Sequence, residues 1–105
     1  MHDDKREILF SAIDHYNVLT KNQKKILKSL INLSIDGKVV ATVNELASFN
    51  NTTRATISTA ISLYKKLNII EVPETTGVRF SSCRLKQTKL NEIISHFQNK
   101  KALEL

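Results

Sequence analysis

The sequence predicts one mainly α-helical domain with a small β-hairpin. Three observations lead there. Apolar residues recur at i, i+3, i+4 and i+7 in several separate segments, the spacing that lines one face of a helix. Two strand-like stretches, 69–72 and 78–86, flank Pro73-Glu74-Thr75-Thr76-Gly77, a composition suited to the turn between antiparallel strands. The 105 residues are 41% apolar with only two Gly and one Pro, enough for a small core and little that reads as disordered.

Taken in order, residues 4–18 read as a first helix, with Leu9, Ala12, Ile13 and Tyr16 on one stripe. Thr20 begins a second. Its side chain can cap, and Gln23 three positions on completes a capping box. Ile26, Leu27, Leu30 and Ile31 form the inner face, and Lys21, Lys24, Lys25 and Lys28 lie largely on the other side. An end near Asp36-Gly37 is expected, because Gly accepts the left-handed conformation. Lys38 to Ala41 is short and β-branched, a small strand. Thr42 with Glu45 is a second capping box, opening a third helix whose expected inner face is Leu46, Ala47 and Phe49. Asn50-Asn51 should stop it.

Thr52 or Thr53 caps the fourth helix. Ile57, Ala60, Ile61 and Tyr64 face inward, so Ala55, Ser58, Thr59, Ser62 and Lys66 point outward. Asn68 should end it in the left-handed region. The hairpin follows. Val78 and Phe80 share one parity while Cys83 and Leu85 share the other, so a bulge near Ser81-Ser82 is expected. The last helix starts about Thr88 and places Leu90, Ile93, Ile94 and Phe97 on one stripe, with a tail after Lys101 expected to fray. The domain thus divides into an N-terminal helix (1–19), a core (20–86) and a C-terminal helix and tail (87–105).

The fourth helix carries the chemistry. From Leu46 to Ile70 there is no Asp or Glu, but there are seven Ser/Thr together with Arg54, Lys65 and Lys66. Solvent faces normally mix both signs of charge. A small, hydroxylated and cationic face suits a DNA groove better. Charge distribution agrees. The chain has a net charge of +6, and residues 37–105 hold ten basic and five acidic side chains against six and five in residues 1–36.

Other chemistries find little support. Cys83 is the single cysteine, and His2, His15 and His96 are scattered, so neither a disulfide framework nor a metal site is expected. No Gly-rich phosphate loop exists, and Thr53, Ser58 and Ser62 have no neighbouring His/Asp pair to act as base. The expectation is therefore a non-enzyme without cofactor or metal. The charged start MHDDKREIL lacks the apolar core of a secretory signal, and no apolar run approaches membrane-spanning length. A cytoplasmic location follows as an expectation.

The order of elements over residues 20–86 resembles a winged helix-turn-helix domain. Bacterial regulators of this kind often carry Leu-Ala, a turn, then Ser-Arg-x-Thr-Val-Ser-x-Ala-Leu, ending in Gly-Leu-Ile. Leu46-Ala47 match the start, Thr53-Arg54-Ala55-Thr56-Ile57-Ser58-Thr59-Ala60-Ile61 match the middle without a gap, and Asn68-Ile69-Ile70 match the end. Asn51 stands where Gly is usual and Thr59 where Arg is frequent. The resemblance implies a small transcriptional regulator that binds double-stranded DNA. Thr53 would meet phosphate, Arg54 phosphate or guanine, and Ala55 and Thr59 thymine methyls. Thr56, Ser58 and Ser62 would lie along the groove, and Lys65 and Lys66 against backbone. Thr76 and Arg79 in the wing (73–79) would lie over the neighbouring minor groove. The flanking helices look like those with which MarR-like repressors dimerise, so Leu9, Ile13, Leu90, Ile93, Ile94 and Phe97 are expected at a homodimer interface. The domain also resembles the winged helices of plasmid or phage replication initiators, and some winged helices serve protein–protein interaction.

Overall fold

The computed structural model describes residues 4–73 and 82–103. The elements in order are α1 (Asp4–Asp14), α2 (Lys21–Leu33), β1 (Lys38–Val40), α3 (Val43–Phe49), α4 (Arg54–Lys66), β2 (Ile70–Glu71), β3 (Ser82–Leu85) and α5 (Gln87–Leu103). Among the described residues there are thus five helices and one small antiparallel sheet in the order β1-β3-β2, consistent with a winged-helix-like fold. Residues 74–81, which hold Thr76, Arg79 and all of the expected hairpin turn and bulge except Pro73 and Ser82, lie outside the described residues.

One core joins the layers. Ile26, Leu27, Leu30 and Ile31 of α2 meet Leu46 and Ala47 of α3, Ile57, Ala60, Ile61 and Tyr64 of α4, and the inward sheet residues Val39, Ile70, Cys83 and Leu85. The register fixes that inward set: Val39 pairs with Cys83 and Ile70 with Leu85, while Lys38, Arg84 and Glu71 alternate to the outer face. α1 and α5 pack on each other. Leu9, Ala12, Ile13, Leu90 and Ile93 are all buried within the single chain.

Helix starts follow the sequence closely. Thr20 and Thr42 both form complete capping boxes, with Gln23 and Glu45 returning the bond. Three boundaries and faces differ from expectation. α1 stops at Asp14 instead of residue 18. The chain turns through the Leu19 N–H to Tyr16 carbonyl bond of 3.2 Å, which buries Leu19 and sets Thr20 at its cap. α2 stops at Leu33, because the Ser34 hydroxyl donates to the Ile31 carbonyl at 2.6 Å and competes with helix continuation. Asp36 (φ 53°) and Gly37 (φ 79°) instead form the two-residue turn of a tight Ile35–Lys38 hairpin, closed by two backbone bonds.

The third difference is Phe49, which is 64% exposed. At about 100° per residue, Val43, Leu46, Ala47 and Asn50 span one arc of α3, and Phe49 falls about 60° outside it. Asn50 takes the inward position and is 5% exposed. Its amide nitrogen donates to the Leu46 carbonyl at 2.9 Å and to the Ser29 hydroxyl at 3.0 Å, so burial leaves it satisfied.

Candidate nucleic-acid interface

Two short helices and the turn between them position the candidate site. α3 and α4 end in the same way, with an asparagine in the left-handed region: Asn51 at φ 53° and Asn68 at φ 65°. After α3 the Thr52 N–H reaches the Ala47 carbonyl (2.9 Å) and Asn51 N–H the Ser48 carbonyl (3.2 Å). After α4 the Ile69 N–H reaches Tyr64 (2.8 Å) and Asn68 N–H reaches Lys65 (3.0 Å). Each is a Schellman closure, which satisfies terminal carbonyls and fixes the exit direction of the chain.

Thr53 caps α4. Its hydroxyl accepts from the Thr56 N–H at 3.1 Å and lies 2.9 Å from the Thr56 hydroxyl. The expected phosphate-facing threonine and Thr56 therefore already serve the helix start, and Thr56 is half-buried. α4 is then locked onto α2 by Tyr64, whose hydroxyl donates to the Gln23 carbonyl. Burial pushes the Tyr64 hydroxyl well above the ordinary phenol range, so it stays protonated and available as a donor.

With Ile57, Ala60, Ile61 and Tyr64 buried, the opposite face of α4 is open. Arg54, Ala55, Ser58, Thr59, Ser62, Lys65 and Lys66 are all exposed. The sequence-based site on α4 is thus gathered on one continuous outer face. Thr76 and Arg79 lie outside the described residues, so this gathering extends to α4 alone. Of the expected subunit-contact residues, Leu9, Ile13, Leu90 and Ile93 are covered by their own chain, and Ile94 and Phe97 are half-buried.

Sequence reasoning missed what stands beside α4. A shallow groove of about 320 Å³ runs between it and the start of α2, lined by Thr20, Asn22 and Gln23 on one side and Ala55, Thr56 and Thr59 on the other. The signal was present in the sequence: from Thr20 to Ile35 there is again no Asp or Glu.

Among the described residues no group of His, Cys, Asp and Glu is arranged to hold a metal ion, and no helix is long and apolar enough to cross a membrane. Burial pushes the Cys83 thiol up to about 11, the mark of a packed, unreactive side chain.

No family model and no curated protein matches the chain. Solved structures do. A possible transcriptional regulator from Methanosarcina mazei Go1 aligns over 94% of this chain and 83% of its own, with TM-score 0.56 and 13% identity. The YusO protein from Bacillus subtilis aligns over 95% of this chain and 70% of its own, with TM-score 0.54 and 17% identity. At such identities the likeness is one of fold, extending over nearly the whole chain.

Proposed function

We propose that this chain is a cytoplasmic transcriptional regulator that binds double-stranded DNA in a sequence-dependent way, without catalysis, cofactor or metal. α4 enters the major groove, and the wing of residues 73–79, with Thr76 and Arg79, lies beside it. One observation carries the reading: the exposed face of α4 holds Arg54, Ala55, Ser58, Thr59, Ser62, Lys65 and Lys66 and no acid. Small side chains at Ala55, Ser58, Thr59 and Ser62 permit close approach to base edges, and the hydroxyls can donate or accept there. Arg54 lies in the first turn of α4 and Lys65 and Lys66 in the last; in this reading Arg54 contacts guanine or phosphate and the two lysines contact backbone.

The fold shared with a possible transcriptional regulator supports the regulatory part of this reading. Assembly is part of the proposal. A second copy of the chain, packed against the outer side of α1 and α5, would present two copies of α4 to a two-fold site.

The test is duplex binding measured against salt concentration, followed by selection of bound sequences from a random duplex pool. Binding that weakens steeply with salt, with enrichment of a palindromic sequence, is expected. Absence of duplex binding at low salt would refute the reading.

A further inference from the structure

We propose that the first two turns of α2 form a second backbone-binding surface, in which Lys21 and Lys25 take phosphates of the same duplex that α4 enters. The proposal rests on the DNA-binding reading above and extends it to residues outside the helix-turn-helix.

The four lysines of α2 divide into two pairs. Lys24 Nζ donates to the Asp14 carbonyl at 2.7 Å, and Lys28 Nζ pairs with the Asp14 carboxylate at 2.5 Å. Those two tie α1 to α2. Lys21 and Lys25 are exposed and make no hydrogen bond or ion pair among the described residues.

Their placement works against the helix that carries them. Lys21 is the first residue of α2, at the positive end of the helix dipole, where a cation is unfavourable. Lys21 and Lys25 stand at i and i+4, where like charges repel. No acid occupies the first turn to offset either effect. A sequence shaped by stability alone would place Asp or Glu here. An anion arriving from outside reverses the sign of both terms, and the helix dipole then reinforces the lysines.

Position identifies the anion. Asn22 lines the groove shared with Ala55 and Thr59 of α4. At about 100° per residue, Lys25 lies about 60° around α2 from Asn22, and Lys21 about 100°. Lys21 and Lys25 line the cleft at the α1–α2 side together with Asn22, Lys24, Lys28 and Asp14, and in it Asp14 is already engaged by Lys24 and Lys28. Lys25 also stands one helical turn before Ser29, which holds the α3–α4 turn through Asn50. Asn22 lines both the groove beside α4 and the cleft that holds Lys21 and Lys25, so the two lysines flank the α2 edge of that groove, with the cleft's Asp14 already paired with Lys28. A duplex seated on α4 offers evenly spaced phosphates along that flank, and two ammonium point charges suit phosphate without reading sequence.

The test uses the full chain with Lys21→Glu, Lys25→Gln and the double substitution. Affinity is measured for a duplex selected from a random pool and for an unrelated duplex, across a salt series, with a melting curve for each protein. The double variant should lose roughly tenfold or more in affinity at low salt, equally for both duplexes. Its slope of log affinity against log salt should be shallower by about 1.8, the value for two phosphate contacts. Lys21→Glu should melt at or above the temperature of the unsubstituted protein, since the acid suits the helix N-terminus and pairs with Lys25. Loss of binding by a protein that is as stable as before, or more so, is the signature of a ligand contact. Unchanged affinity and slope in the double variant would overturn this inference alone. An unsubstituted protein that binds no duplex would overturn the proposed function and this inference together.

Discussion

Arg54 is the α4 side chain with the greatest reach. It stands at the first position of α4, exposed, where a guanidinium can lie flat against guanine O6 and N7 or fork onto a phosphate. Arg54→Ala is expected to weaken binding to a selected duplex by about 1–3 kcal/mol. Comparing selected and unrelated duplexes assigns the contact: a loss confined to the former marks base contact, and an equal loss with a shallower salt slope marks phosphate. Equal affinity for every duplex would remove Arg54 from the interface. Cys83 illustrates the other kind of residue. It is 2% exposed, and burial raises its thiol from 9.0 to about 11. The folded thiol holds its proton more tightly than the unfolded one. Below pH 9 neither state ionises and stability is unaffected. Between pH 9 and 11 the unfolded state ionises first, and stability falls by about 1.4 kcal/mol per pH unit. Urea unfolding of the unsubstituted protein and Cys83→Ala across that window should show their stability difference closing by about 2–3 kcal/mol. Tyr64, raised in the same direction, acts equally in both proteins and drops out of the comparison. Parallel curves would mean that Cys83 is not the group responsible.

At the scale of elements, the sequence was most legible where local chemistry decides the outcome. Thr20 with Gln23 and Thr42 with Glu45 close capping boxes as expected, and Asn51 and Asn68 take positive φ because their short amides tolerate it. The inward stripe of α4 followed from its period. The outward set on α4 followed by subtraction, so the exposure of that face was legible in the sequence. What failed depended on tertiary competition. Helical period alone places Asn50 inside the inner arc of α3 and Phe49 outside it, and the expectation for Phe49 followed its polarity instead. The structure chooses Asn50, because an inward amide there reaches both the Leu46 carbonyl and the Ser29 hydroxyl. Polarity alone cannot anticipate a bond to a residue on another helix. The flank formed by Asn22, Lys21 and Lys25 was missed for the same reason: adjacency of α2 to α4 is a property of packing, although the acid-free run was visible. Asn50→Ala leaves the α3–α4 turn without its tie to α2 and is expected to cost about 1–2 kcal/mol. In a domain of this size that corresponds to roughly 5–15 °C in melting temperature, with helix content retained below the transition. An unchanged melting temperature would show that the turn holds without its amide clamp.

For the molecule as a whole, the outstanding question is what α1 and α5 do once they have packed together. The stripes read as partner-facing are largely consumed within one chain: Leu9, Ile13, Leu90 and Ile93 are buried without a second copy. Charged substitutions there should unfold the protein and say nothing about assembly. The surface left for a partner is different and smaller. Ile8 is 38% exposed on α1, and Ile94 lines the same open cleft between α1 and α5, with Lys5, Arg6, Asn91 and Gln98 around it. An apolar centre with a polar rim is the anatomy of a modest interface. The proposed homodimer therefore uses Ile8 and Ile94, and its strength should depend on protein concentration. Sedimentation at micromolar concentration is expected to give about twice the 11.9 kDa chain mass. Ile94→Glu should give a folded monomer whose helix content matches the parent and whose affinity for a palindromic duplex drops sharply, because one α4 then binds without its twin. Its affinity for a half-site should be unchanged. A mass of one chain for the unsubstituted protein would rule out the dimer under those conditions. Undiminished palindrome binding by a monomeric Ile94→Glu protein would separate DNA recognition from assembly altogether.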